Sequence, residues 1–201
     1  NSQYVAARIK KYYRRDSTVI YPPVPVSSFF QSDGSDNYYL MVSRLRPYKR
    51  VDLAIEAFNQ LKLPLIIIGG GEETQRLRRK ARHNISFLGE VDERTKRKYL
   101  SHCRAFIHPQ EEDFGISAVE AMASGKPVIA FGAGGAMETI VEGVTGTFFS
   151  EQSWEALVYA VLQCNTTAFD RSVIRSHAMK FDTSVFRDQI QQFVAKAAGQ
   201  V

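Results

Sequence analysis

At 201 residues with 44% hydrophobic content, the chain can bury one sizeable core. No apolar run is long enough for a membrane-spanning helix, which needs about 18 residues. The net charge of +5 suits phosphate-bearing or anionic-membrane partners without choosing between them, and the two cysteines, Cys103 and Cys164, lack metal-ligand spacing.

The chain opens on NSQYVAARIKKYYRR, with neither an initiator Met nor an apolar leader, so a fragment of a longer, reduced cytosolic protein is expected. Asn1 to Arg15 has helical periodicity, with Val5, Ile9 and Tyr12 or Tyr13 as its apolar stripe. Its five basic residues read as a solvated face or as a phosphate- or membrane-facing one. Tyr21-Pro22-Pro23-Val24-Pro25 excludes helix. The stretch from Pro22 to Asn37, with Asp33 and Asp36 in its polar end, reads as a linker.

Strands and helices then alternate. Strands are expected at 38–43, 65–68, 85–88, 105–108, 127–131 and 147–149. Helices are expected at 51–61, 72–82, 92–101, 116–123, 136–141 and 154–164, with Asp92 capping one of them. A last amphipathic helix falls at 181–198. Such alternation, with uniformly apolar strands, predicts an α/β fold: a Rossmann-like, doubly wound parallel sheet of six strands with terminal helices. The expected division is 1–25 as the end of a preceding domain and linker, 26–165 as the sheet domain, and 166–201 as C-terminal helices.

Ligands of such sheets bind beyond the carboxyl ends of the strands. The loops there are also rich in glycine and charge. Ser43 to Arg50 carries Arg44, Arg46, Lys49 and Arg50, suited to a pyrophosphate or to plain surface charge. Gly69-Gly70-Gly71 is a weak phosphate cradle, being neither GxGxxG nor a Walker loop. Gly132-Ala133-Gly134-Gly135 could form a nest of N–H groups for an anion or for sugar hydroxyls, with Glu138 a helix cap or a hydroxyl ligand. In Gln110 to Met122, Glu112 and Glu120 flank Phe114-Gly115 at the mouth of a helix. They could meet two parts of one elongated ligand, or be a solvated acidic loop and a surface Glu. His108 is the one histidine near this site, with a structural role expected. No DxD and no metal-spaced cluster occurs, so a bound diphosphate would be met by Arg and Lys.

The segments VSRLRPYKRVDLAIEAF, IIIGGGEE, ISFLGEV, EEDFGISAVEAMASGKPVIAF and GAGGAMETIVEGVTG resemble the C-terminal, donor-binding domain of retaining GT-B glycosyltransferases of family 4. The resemblance runs from Tyr38 to Phe149. Asn1 to Pro25 resembles the end of that family's N-terminal domain, and Phe181 to Ala198 its terminal crossing helix. It implies that Arg44 and Lys49 bind the donor diphosphate and that Glu112 holds hydroxyls of the transferred sugar. Backbone N–H groups of Asp113, Phe114, Gly115 and Ile116 would assist. Glu120 would bond the ribose, Gly89 to Val91 would meet the base, and Gly70 and Gly71 would line the phosphate pocket. It further implies no metal cofactor, a nucleotide-sugar donor, and a glycan or lipid-linked acceptor. Nucleic acid is not implied as a partner; peripheral association with the inner membrane face is compatible. Asp113 departs from the family's usual Gly, a form resembling mannosyltransferases that use GDP-mannose. With the acceptor-bearing N-terminal domain absent, this chain alone is expected to be inactive. The alternative is a non-enzymatic nucleotide-binding module; an NAD-dependent dehydrogenase is disfavoured by the absent GxGxxG, and a GT-B phosphorylase or epimerase by the poor fit of the loops.

Overall fold

A computed structural model describes residues 1–32, 34 and 36–199. Asp33 and Ser35, part of the expected polar linker, lie outside the described residues. The sheet strands are β1 (Tyr39–Val42), β2 (Leu65–Ile68), β3 (Ile85–Gly89), β4 (Phe106–His108), β5 (Val128–Phe131) and β6 (Gly146–Phe149). All neighbours pair in parallel, in the order β3-β2-β1-β4-β5-β6. The six-stranded Rossmann-like sheet predicted from the sequence is therefore present.

Strand side chains alternate between faces, and both faces are covered. Tyr39, Met41, Leu65 and Ile67 enter one apolar cluster with Leu53, Ile55 and Phe58. Leu40 and Ile68 enter the other with Val119, Met122 and Ile174. Burial on both sides explains why these strands read as continuous aliphatic runs.

The helices are α1 (Gln3–Tyr13), α2 (Val51–Leu61), α3 (Thr74–Lys80), α4 (Glu93–His102), α5 (Ile116–Ala123), α6 (Ala136–Thr139), α7 (Trp154–Thr166), α8 (Arg171–Ala178) and α9 (Thr183–Ala198). Asp92 caps α4 by accepting from the Thr95 N–H at 2.6 Å, as expected. Two of the helices between strands are shorter than the sequence suggests: α3 spans 74–80 rather than 72–82, and α6 spans 136–139 rather than 136–141. Helix α8 falls within the expected C-terminal helices, but its own bounds were not assigned from the sequence. Asp170 starts it by accepting from Ser172 and Val173 N–H, and its Ile174 and Ala178 are buried in the cluster that holds α5.

The linker is tied to the C-terminal segment. Val24 N–H donates to the Phe181 carbonyl at 2.9 Å, and Thr183 N–H donates back to Val24 at 3.2 Å. Arg175 donates to the carbonyls of Phe29 and Val26. Helix α1 forms as expected, but no residue of its stripe is buried; Tyr12 and Tyr13 are exposed. Polar contacts hold it instead.

Candidate functional site

Strand order reverses between β1 and β4, and an open α/β sheet offers its crevice at that point. A cleft of about 940 Å³ lies there, lined by Arg44, Lys49, Lys96, Glu112, Gly115 and Glu120 among others. A second of about 350 Å³ adjoins it, sharing Val42, Ser43, Arg44 and Lys96 and adding Gly69, Gly70, Glu90 and Val91. The two form one elongated basin from the end of β4 to the end of β2.

The loop after β1 supplies the cations. Pro47–Lys49 is a 3₁₀ turn that aims Lys49 at the Glu112 carboxylate, with which it forms an ion pair. Burial pulls the Lys49 ammonium down to about 8, and Arg44 adds to this. Contact with Glu112 opposes both and favours the charged form. Among the described residues, Arg44 has no ion-pair or side-chain hydrogen-bond partner, and it faces both clefts. The other two cations of the loop are engaged elsewhere: Arg46 with Glu72 at 3.7 Å, and Arg50 with Gln152 and Asp52. The four-cation loop thus presents two cations to the cleft.

The loop after β4 supplies the carboxylates. Gly115 takes φ +92° at the start of α5, a region that favours glycine. The first N–H groups of α5 have no intrahelical acceptors, and Ile116 and Ser117 border the cleft. Glu120, four positions into the helix, is 8% exposed and paired with Lys96 at 2.9 Å, so it is not a helix-surface Glu. Burial raises the Glu120 carboxyl above its ordinary range, and Lys96 offsets that only in part. Burial lowers Lys96, but Glu120 and Glu93 more than compensate.

Other expected positions are placed as follows. Gly70 and Val91 border the smaller cleft; Gly71 sits over the Leu45 carbonyl, outside both. The Gly89 carbonyl accepts from Gly69 N–H at 2.7 Å. At Gly69, a Cβ would fall 2.0 Å from the Ser43 carbonyl oxygen, so a side chain there would part the two loops. Asp113 pairs with Arg8 of α1 at 2.8 Å. The Phe114 ring is buried against Tyr21 and Phe181, leaving its backbone for the cleft.

One reading is corrected. The Gly132–Gly135 run is not an open nest: Gly135 N–H donates to the Glu112 carbonyl at 2.7 Å, so these glycines hold the acidic loop in place. Glu138 is a helix cap, as one of its two readings had it, though not of its own helix: it accepts from Gln3 and Tyr4 N–H, both at 2.7 Å, and from Tyr21. It caps α1. Sequence reasoning also missed Gln110, buried beside His108, and Lys96; an interhelical pair between α4 and α5 leaves no local pattern.

Cations and a helix N-terminus at one end, and carboxylates within the same basin, fit a ligand that carries both phosphate and hydroxyl groups. Fold and cleft together define a Rossmann-like α/β domain of the GT-B kind. The chain belongs to the glycosyl transferases group 1 family, whose model matches residues 27–171. It is 27% identical to the human alpha-1,3/1,6-mannosyltransferase ALG2 over 241 residues, covering 98% of this chain and 57% of that protein. It is 29% identical to the Escherichia coli O-antigen chain mannosyltransferase C over 178 residues, covering 79% of this chain and 47% of that protein. The solved structure of Anabaena Alr3699/HepE in complex with UDP-glucose superposes with a TM-score of 0.88 at 25% identity, covering 98% of this chain and 62% of that one. The chain thus spans little more than half the length of the human relative. Among the described residues, no helix is long and apolar enough to cross a membrane.

Proposed function

We propose that the chain is the donor-binding half of a retaining, metal-independent glycosyltransferase. It moves a hexose from a nucleoside diphosphate sugar to a glycan or lipid-linked acceptor. The observation that carries this reading is the meeting of Lys49 and Glu112 at the switch point, with Arg44 beside them and Glu120 in the same basin. Arg44, Lys49 and the first turn of α5 take the diphosphate. As the sugar departs, negative charge grows on the leaving nucleotide, and these fixed donors stabilise it in the transition state. Glu112 accepts from sugar hydroxyls and Glu120 from the ribose. The backbone at Gly89 to Val91 meets the base. Two cations and a helix end supply the positive charge that a divalent ion would otherwise give.

Mannose from GDP-mannose is the proposed hexose, supported by the E-D-F-G loop and by the names of the two mannosyltransferase relatives. The remainder of the polypeptide would bring the acceptor, at the cytoplasmic membrane face. A transfer assay tests this division of labour. The chain alone, given GDP-mannose and glycan or lipid-linked acceptors, should transfer nothing, and joined to its upstream half it should turn over with EDTA present. Turnover by the chain alone, or loss of all activity in EDTA, contradicts it.

A further inference from the structure

His108, at the end of β4, is 1% exposed. The Gln110 side-chain amide contacts its Nδ1 at 3.2 Å. Among the described residues its Nε2 has no hydrogen-bond partner, and it lies 3.8 Å from the nearer Glu112 oxygen, Oε2. The Glu112 Oε1 is the oxygen held by Lys49. The loop closes tightly over the ring: a Cβ on Gly115 would stand 3.2 Å from Nε2.

An amide N–H of Gln110 can only donate, so Nδ1 accepts and the proton of the neutral ring sits on Nε2. Turning the amide over would move the proton to Nδ1. The Nε2 lone pair would then face a carboxylate, and the two would repel. The favoured form is an Nε2–H whose nitrogen stands 3.8 Å from Glu112 Oε2, too far to bond it. A buried donor without an acceptor is costly and calls for an explanation.

We propose that His108 is a positioning residue for Glu112. When the donor diphosphate draws Lys49 away, the His108 Nε2–H takes up Glu112 Oε2 and turns the carboxylate toward the hydroxyls of the transferred sugar. The inference rests on the donor-site reading above. Lys49 pairs with Glu112 here; once Lys49 serves phosphate, His108 serves Glu112. Glu112 then keeps a donor partner in both states, and its free lone pairs face the sugar.

The test separates the sugar from the nucleotide. Calorimetric titration with GDP, GDP-mannose, UDP and UDP-glucose is run on the wild-type chain, His108→Phe and His108→Gln. Phe fills the space without an N–H, whereas the Gln amide reaches the Nε2 position. His108→Phe should weaken the sugar nucleotide about five- to tenfold and the bare nucleotide by less than about twofold. His108→Gln should recover most of the loss. Equal weakening of both ligands, or of neither, overturns the role of His108. Nitrogen-15 NMR of the wild-type chain gives a readout independent of any variant's folding. Nε2 should carry the proton, and that proton should move downfield when the sugar nucleotide binds. A protonated Nδ1, or an unmoved Nε2–H, overturns the proposal. If no nucleotide binds the wild-type chain, even with its upstream half restored, the donor-site reading fails and this inference falls with it.

Discussion

Lys96 Nζ lies 2.9 Å from Glu120 Oε1, tying α4 to α5 across the floor of the cleft. Neither side chain is well hydrated, and the pair does not fully offset the cost of burying Glu120. On the proposed donor-site reading, such a carboxylate serves the ligand more than the fold.

Replacing it should therefore separate stability from binding. Glu120→Gln keeps an acceptor for Lys96 and removes the buried charge. Nucleotide affinity should fall at least about tenfold, while Tm at pH 7 should change by less than about 3 °C. The pH dependence has a definite sign. A raised folded pKa means that the folded state binds the extra proton, so stability from this group is present at low pH and lost as pH rises through the folded pKa. The Tm of Glu120→Gln relative to wild type should thus increase from pH 4.5 upward and then level off. Differential scanning calorimetry across that range checks it; a constant difference would show that Glu120 is not strained by burial.

His108 should shape the acid limb. Burial first, and Lys49 second, push its ring down to about 3, against about 6.5 in an unfolded chain. Between those values the unfolded state binds one more proton. Stability is then lost as pH falls below about 6.5, by up to about 1.4 kcal/mol per pH unit. Denaturant unfolding at pH 7 and pH 4.5 should show wild type losing about 2 kcal/mol more than His108→Gln. Equal losses would contradict a buried neutral ring.

Helix α1 should detach before anything else. It buries no side chain of its own. Glu138 accepts two of its N–H groups, Glu111 accepts from the Tyr4 hydroxyl at 2.5 Å, and Asp113 holds Arg8. Glu138→Ala should reduce local protection of α1 by about 1–2 kcal/mol with little change in global Tm. Amide hydrogen exchange measures this; unchanged exchange in α1 would mean that its other contacts suffice.

Much of this arrangement was legible in the sequence because its causes are local or periodic. Strands such as Leu65–Ile68 announce burial on both faces, and glycines mark strand ends. The end of β4 and the start of α5 bracket the acidic loop as the motif suggests. What stayed hidden depends on partners distant in sequence. Glu138 caps a helix more than 130 positions away. Lys96 becomes a site residue only because α4 and α5 pack side by side. Helix α8 is short, with two buried positions, too few for a clear period; its only local signal was Asp170. The stripe of α1 was read correctly as helical, but its periodicity could not reveal that the stripe would stay uncovered here.

The most direct test of the donor-site reading is calorimetric titration of the chain with GDP, UDP, ADP, GDP-mannose and UDP-glucose without metal, alongside Lys49→Ala and Glu120→Ala. The predicted result is saturable binding of one nucleotide and its sugar conjugate, guanine being the expected base. Affinity should drop at least about tenfold in each variant. Binding that survives both substitutions undiminished, or no binding even when the upstream half of the polypeptide is restored, would contradict a donor site at the Lys49–Glu112 cleft.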